Sequence, residues 1–177
     1  MFQRHIAAAI LCAAAAVCAT PAAAQDSAQF MVGAGVFGFG VATEPRNAEV
    51  RIAYRFQSGI FGTDGVFRGF KPLIGAAAQT NGSQFAYVGL AAPFVFGAED
   101  RWEFVFEGGP GAYRQGSSAL DLGGTFEFHL GAGISYAVSD TGRFGIGVYH
   151  ISNANIHPKN PGVNSILATY TFAFDGP

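Results

Sequence analysis

From Phe126 to Val138 the chain alternates without a break. Phe126, Phe128, Leu130, Ala132, Ile134, Tyr136 and Val138 are apolar or aromatic, and Glu127, His129, Gly131, Gly133, Ser135 and Ala137 between them are ionisable, polar or small. A period of two marks a β-strand whose two faces meet different surroundings. The pattern returns in Val50, Ile52, Tyr54 and Phe56 against Glu49, Arg51, Arg55 and Gln57, and in Trp102, Phe104 and Phe106 against Glu103 and Glu107. Segments that can be read this way number eight: 29–40, 48–57, 68–80, 83–95, 101–108, 122–138, 142–152 and 163–174. Glycine and Pro72 interrupt the first, third and fourth. No amphipathic helix longer than two turns stands out, and 25 glycines make long helices costly.

Alternation alone fits either a soluble sandwich, with the apolar face inward, or a membrane barrel, with that face toward lipid. Composition separates them. Only 12% of the residues are charged while 14% are aromatic, against roughly 25% charged in ordinary globular chains. Strands of about 9–11 residues suit a tilted crossing of the bilayer, and aromatic residues at strand ends suit interfacial girdles. The chain therefore predicts an all-β fold, an eight-stranded antiparallel transmembrane β-barrel, closed because hydrocarbon cannot satisfy a free strand edge. With the N-terminus on the periplasmic side, the links around 109–121 and 153–162 are exterior loops. The long 58–67 link and the short Asn81-Gly82 turn fit that scheme poorly.

Arg4, an apolar run from Ile6 to Ala19 and the ending Ala22-Ala23-Ala24 read as a secretory leader spanning residues 1–24, with one barrel domain over 25–177. Cys12 and Cys18 both fall in that leader, so no disulfide is expected in the mature chain. Loss of Arg4 leaves 9 basic against 12 acidic residues with no basic cluster, which argues against a nucleic-acid partner. The Gly33-x-Gly35 and Gly38-x-Gly40 pairs lack a following helix, so no nucleotide fingerprint is read there.

Counting by two places Phe144, Ile146, Val148, His150 and Ser152 on one face of the seventh segment, and Asn164, Ile166, Ala168, Tyr170 and Phe172 on one face of the eighth. Three polar side chains, His150, Ser152 and Asn164, thus point toward lipid at one end of a hairpin. Either they sit high enough to be hydrated at the headgroups, or they form a reactive site, since polar groups facing hydrocarbon are functional candidates. A histidine two residues from a serine can take its hydroxyl proton. His157 reads as a solvated loop residue. His129, Glu127, Glu103, Glu107, Arg51 and Arg55 read as an internal ion-pair network, without recognisable metal-ligand spacing.

The run His150-Ile-Ser-Asn-Ala154, followed by Asn160-Pro-Gly-Val-Asn164-Ser, resembles the signature of the lipid A 3-O-deacylase family, often called PagL: a late His-x-Ser-Asn, an Asn-x-Gly loop and a last strand. The motif occupies about 25 residues. The resemblance implies an outer-membrane carboxylic ester hydrolase that cuts an ester-linked 3-hydroxyacyl chain from lipid A or lipopolysaccharide, needs no cofactor or metal, and works among outer-membrane lipids as a monomer or homodimer. It implies Ser152 as nucleophile, His150 as base and Asn153 in the oxyanion hole, with Asn160 and the backbone at Pro161-Gly162 assisting. Val148, Ile146 and Tyr170 would accommodate acyl chains, and Lys159 would meet lipid phosphates. The chain departs from the family at one position: Asn164 stands where well-characterised members carry a glutamate. An asparagine carbonyl can orient an imidazole but cannot stabilise imidazolium by charge. The rival expectation is a structural barrel that retains the motif without catalysis.

Overall fold

The computed structural model describes residues 27–40, 46–117 and 120–174. The expected leader and its two cysteines lie outside the described residues. The strands are β1 (Ala28–Phe39), β2 (Asn47–Arg55), β3 (Lys71–Gln79), β4 (Gln84–Phe96), β5 (Trp102–Arg114), β6 (Phe126–Ala137), β7 (Gly142–Ser152) and β8 (Val163–Phe174). They pair antiparallel in chain order and close into a barrel through a β1–β8 seam. No described helix is long and apolar enough to cross a membrane.

Burial is inverted relative to a water-soluble fold. Arg51 is 1% exposed, whereas its neighbours Val50 and Ile52 are 61% and 48% exposed. Such a surface suits hydrocarbon, and such a lumen requires that each charge find a partner. Arg51 Nε donates to Glu49 Oε1 at 3.0 Å, and its guanidinium lies 4.2 Å from the Tyr149 ring centroid. Glu49 Oε2 also accepts from Ser165 Oγ at 2.6 Å and Gln79 Nε2 at 3.1 Å. Arg55 pairs with Glu103 at 2.8 Å, and His129 Nε2 lies 3.3 Å from Glu107. The expected internal network is therefore present with two changes: Glu49 partners Arg51, and the buried Glu127 carboxylate stands outside it. An apolar plug that includes Phe37, Phe85, Tyr113, Leu122, Ile151 and Val163 occupies the lumen beside these charges.

An aromatic ring lies outside one barrel end. Trp102 meets Tyr136 at 4.9 Å, Phe144 meets Tyr170 at 4.7 Å, and Tyr54 meets Phe174 at 5.9 Å between centroids. The opposite end carries the described residues of the β5–β6 link, 115–117 and 120–125, together with the links 80–83 and 153–162. Two of the awkward links resolve themselves. The 58–67 link prolongs the β2–β3 hairpin, since Ile60 and Phe70 exchange hydrogen bonds at 3.0 and 2.9 Å, and it then docks on β4 through Val95 N–H to Val66 O at 2.7 Å. The Asn81-Gly82 turn closes with Gly82 at φ +84° and Ser83 N–H donating to Asn81 Oδ1 at 3.0 Å.

β5 runs six residues beyond its expected end at 108. The sequence Gly108-Gly109-Pro110-Gly111 looks like a breaker, yet these glycines sit where neighbours crowd in. A Cβ on Gly109 would lie 2.1 Å from the Val88 carbonyl oxygen, and one on Gly111 would lie 2.5 Å from the Phe85 ring. Conversely β6 begins at Phe126, four residues after its expected start at 122.

Candidate active site

The even positions of β7 face outward as the alternation requires: Phe144, Ile146 and Val148 are exposed and His150 and Ser152 half-buried, while Arg143, Tyr149 and Ile151 are buried. In β8, Asn164 and Ile166 are half-buried and Val163, Ser165 and Leu167 buried. His150 and Asn164 are direct cross-strand partners. Their side chains meet on the outer surface, with His150 Nδ1 2.8 Å from Asn164 Oδ1. Ser152 lies on the same face two residues further along, opposite Phe128 of β6.

The other end of the Asn164 amide is held from across the seam. Its Nδ2 donates to the main-chain carbonyl of Phe39 at 3.3 Å. That carbonyl is available because β1 carries a bulge: Phe37 pairs with Ser165 and Phe39 with Asn164, with Gly38 at φ +84° left over between them. The bulge also reverses the phase of the strand, so that Phe37 is buried and Phe39 exposed. Gly162, at φ +64°, seats the imidazole, since a Cβ there would lie 2.7 Å from His150 Cε1.

Loop 153–162 is tied down by its asparagines. Asn153 turns inward and is fully buried, and its Nδ2 donates to the carbonyls of Leu122 at 2.7 Å and Lys159 at 2.6 Å. Its main-chain N–H donates to Asn160 Oδ1 at 2.9 Å. Both amide hydrogens of Asn153 are thus engaged, one by a carbonyl of this loop and one by a carbonyl of the neighbouring β5–β6 link, so this side chain pins the two loops together. Asn160 Nδ2 donates to Asn155 Oδ1 at 3.0 Å, which leaves its second amide hydrogen. Ala154 and Asn155 both take left-handed φ, 52° and 63°, in the sharp turn directly after Ser152.

The neighbouring loop clamps this one. Lys159 Nζ donates to Asp121 Oδ2 at 2.8 Å, and Gly123 N–H donates to Asp121 Oδ1 at 2.9 Å. The hydrogen bond from Lys159, then that from Gly123, holds the Asp121 carboxyl below its usual range, and the hydrogen bond and charge of Asp121 raise Lys159. Lys159, expected to meet phosphates, is thus engaged with a carboxylate. His157 is half-buried rather than solvated, its ring filling the space beside Gly124.

A shallow trough of about 550 Å³ crosses the outer wall from His150 and Val148 over Leu130 and Gly108 to Leu90 and Phe70. It follows one ladder row, His150 opposite Leu130, Leu130 opposite Gly108 and Gly108 opposite Leu90, and the missing side chain of Gly108 forms its floor. Of the three expected acyl contacts, Val148 lines the trough, whereas Ile146 and Tyr170 lie outside it. The Phe39 carbonyl and the Asp121 clamp were not anticipated. The only mark of the former in the sequence is the Gly38-x-Gly40 pair.

Residues 48–173 match the family model described as Lipid A 3-O-deacylase (PagL). A lipid A deacylase PagL of Bordetella bronchiseptica (strain ATCC BAA-588 / NCTC 13252 / RB50) is 32% identical over 81 residues, which cover 42% of this chain and 46% of that protein. The chain thus spans about half the length of this curated relative. Among solved structures, the crystal structure of the outer membrane enzyme PagL superposes with a TM-score of 0.58 at 19% identity, covering 82% of this chain and 99% of that one. Neisserial surface protein A gives a TM-score of 0.52 at 14% identity, covering 83% and 96%. Both show the shared fold of an eight-stranded barrel.

Proposed function

Because the chain belongs to the lipid A 3-O-deacylase (PagL) family, we propose that it hydrolyses an ester-linked 3-hydroxyacyl chain of lipid A from within the outer leaflet of the outer membrane, through a serine–histidine mechanism. The observation that carries this reading is the His150–Asn164 contact of 2.8 Å on the lipid-facing wall, with Ser152 on the same face two residues along the strand. Polar side chains in that position are costly unless used, and this set is the one that ester hydrolysis requires.

In the reaction His150 takes the proton of the Ser152 hydroxyl as its oxygen attacks the ester carbonyl. His150 then returns the proton to the departing sugar oxygen, leaving an acyl-serine. Water, deprotonated by the same imidazole, releases the fatty acid and restores Ser152. The remaining amide hydrogen of Asn160 and the main chain beside Gly162 are the donors assigned to the oxyanion. The acyl chain lies in the trough over Leu130 and Gly108, which begins at His150 and so brings a bilayer lipid sideways to the nucleophile.

Expression of the native chain and of Ser152→Ala in a Gram-negative host, followed by mass spectrometry of lipid A, tests the reading. Loss of one hydroxyacyl chain with the native protein and none with the variant supports it. Identical spectra for both, with both barrels folded, replace it with a structural barrel. Cleavage of phospholipid or short-chain esters in place of lipid A moves it to a broader esterase.

A further inference from the structure

The asparagine at position 164 sets a chemical problem. A carboxylate beside a catalytic imidazole accepts a hydrogen bond whichever of its oxygens faces the ring. A carboxamide accepts from one end and donates from the other. If its NH₂ group faced His150 Nδ1, that nitrogen would have to be the unprotonated one, and Nε2 would carry the hydrogen. An imidazole in that form has no lone pair left for the serine, and such a tautomer error in a serine triad costs about 10⁴-fold in turnover.

Resting on the esterase reading above, we propose that the main-chain carbonyl of Phe39, thrown outward by the Gly38 bulge, is a positioning group that fixes the Asn164 amide and thereby selects the reactive tautomer of His150. A carbonyl oxygen only accepts, so it draws the NH₂ end of Asn164 toward itself. The carbonyl end is left facing His150 Nδ1 at 2.8 Å. Nδ1 must then be the donor, and Nε2 holds the free lone pair. The bulge is necessary to this arrangement because an unbroken β1 would keep Phe39 in phase with Phe37, which points into the barrel. Gly38 is necessary to the bulge because its φ of +84° disfavours any residue with a Cβ. One strand irregularity thus gives a carboxamide the acceptor orientation that a carboxylate has by symmetry.

Two measurements test this. The first is ¹⁵N NMR of the histidine-labelled barrel in lipid nanodiscs, with His150→Gln used to assign the signals. A pyrrole-type Nδ1 and a pyridine-type Nε2 at His150 are expected, and the reverse assignment overturns the proposal. This readout needs no activity, so it stands or falls separately from the Ser152→Ala experiment.

The second is a double-mutant comparison. Gly38→Ala strains the bulge and is expected to lower kcat about 10- to 100-fold with KM little changed. The same Gly38→Ala made in an Asn164→Asp background is expected to cost less than about threefold, because a carboxylate needs no orientation. Heat-modifiable gel migration verifies that each barrel is folded. Equal losses in the two backgrounds would mean that the bulge serves the wall alone, and the proposal fails.

Discussion

Gly162 lies directly against the imidazole of His150, so close that a methyl group there would come within 2.7 Å of Cε1. Its φ of +64° independently disfavours a side chain. The ring is therefore held by Asn164 at Nδ1 and by bare backbone at Cε1. Gly162→Ala is expected to push the ring aside and reduce kcat about 10²-fold, the usual consequence of a displacement near 1 Å. Global stability should fall by about 1–2 kcal/mol, the cost of a Cβ in left-handed backbone. Steady-state kinetics beside denaturant unfolding will show whether the loss lies in kcat.

The lumen predicts a contrast between two neighbouring positions of β2. Glu49→Ala leaves the Arg51 guanidinium buried without its carboxylate and is expected to destabilise the barrel by about 3–5 kcal/mol. Ile52→Arg places a charge on the lipid face and should cost roughly 2–4 kcal/mol in bilayers. The second penalty should shrink in detergent, where water reaches the wall, and the first should persist. Urea unfolding in vesicles and in micelles checks both.

The clamp between the loops has a pH signature. The hydrogen bond from Lys159 lowers the Asp121 pKa, so the stabilisation is complete above the ordinary aspartate range and disappears as pH falls through the depressed folded value. Lys159 is raised, so its contribution holds below the ordinary lysine range and is lost only above it. Both groups are exposed, and the effect should be modest and weakened by salt. Following the Gly123 amide resonance with pH checks the sign: a midpoint at or above the ordinary aspartate value contradicts it.

Filling the trough should alter chain-length preference. A Cβ on Gly108 would lie 2.9 Å from the flexible end of Leu130 and 3.2 Å from the His129 carbonyl oxygen, so Gly108→Leu should fold with a turn of the Leu130 side chain and a shift of a few tenths of an ångström in the wall. It raises the floor of the trough, and hydrolysis of long-chain esters is expected to fall about tenfold relative to short ones. Competition between the two ester lengths measures the ratio, and an unchanged ratio places the acyl chain elsewhere.

The barrel is legible where alternation is strict. β7 and β8 begin and end where the period of two begins and ends, and counting by two already places His150, Ser152 and Asn164 on one face. β5 is misread because Gly108–Gly111 has the composition of a turn. Its conformation is decided by the neighbours that crowd it, and these are not adjacent in sequence. The surroundings of Asn153 are hidden for a similar reason: a residue name gives its donors but not the Leu122 and Lys159 carbonyls that they meet. The Phe39 carbonyl is the least legible element of all, being a main-chain atom 125 residues away whose approach depends on how the sheet closes.

The β1–β8 seam ties the arrangement around His150 to closure of the barrel. Phe39 belongs to the first strand and Asn164 to the last, so they become neighbours only in the finished cylinder. A chain in transit to its membrane carries the serine and the histidine, but its asparagine is still free to turn either way. On the proposed reading, closing the wall is what arms the site.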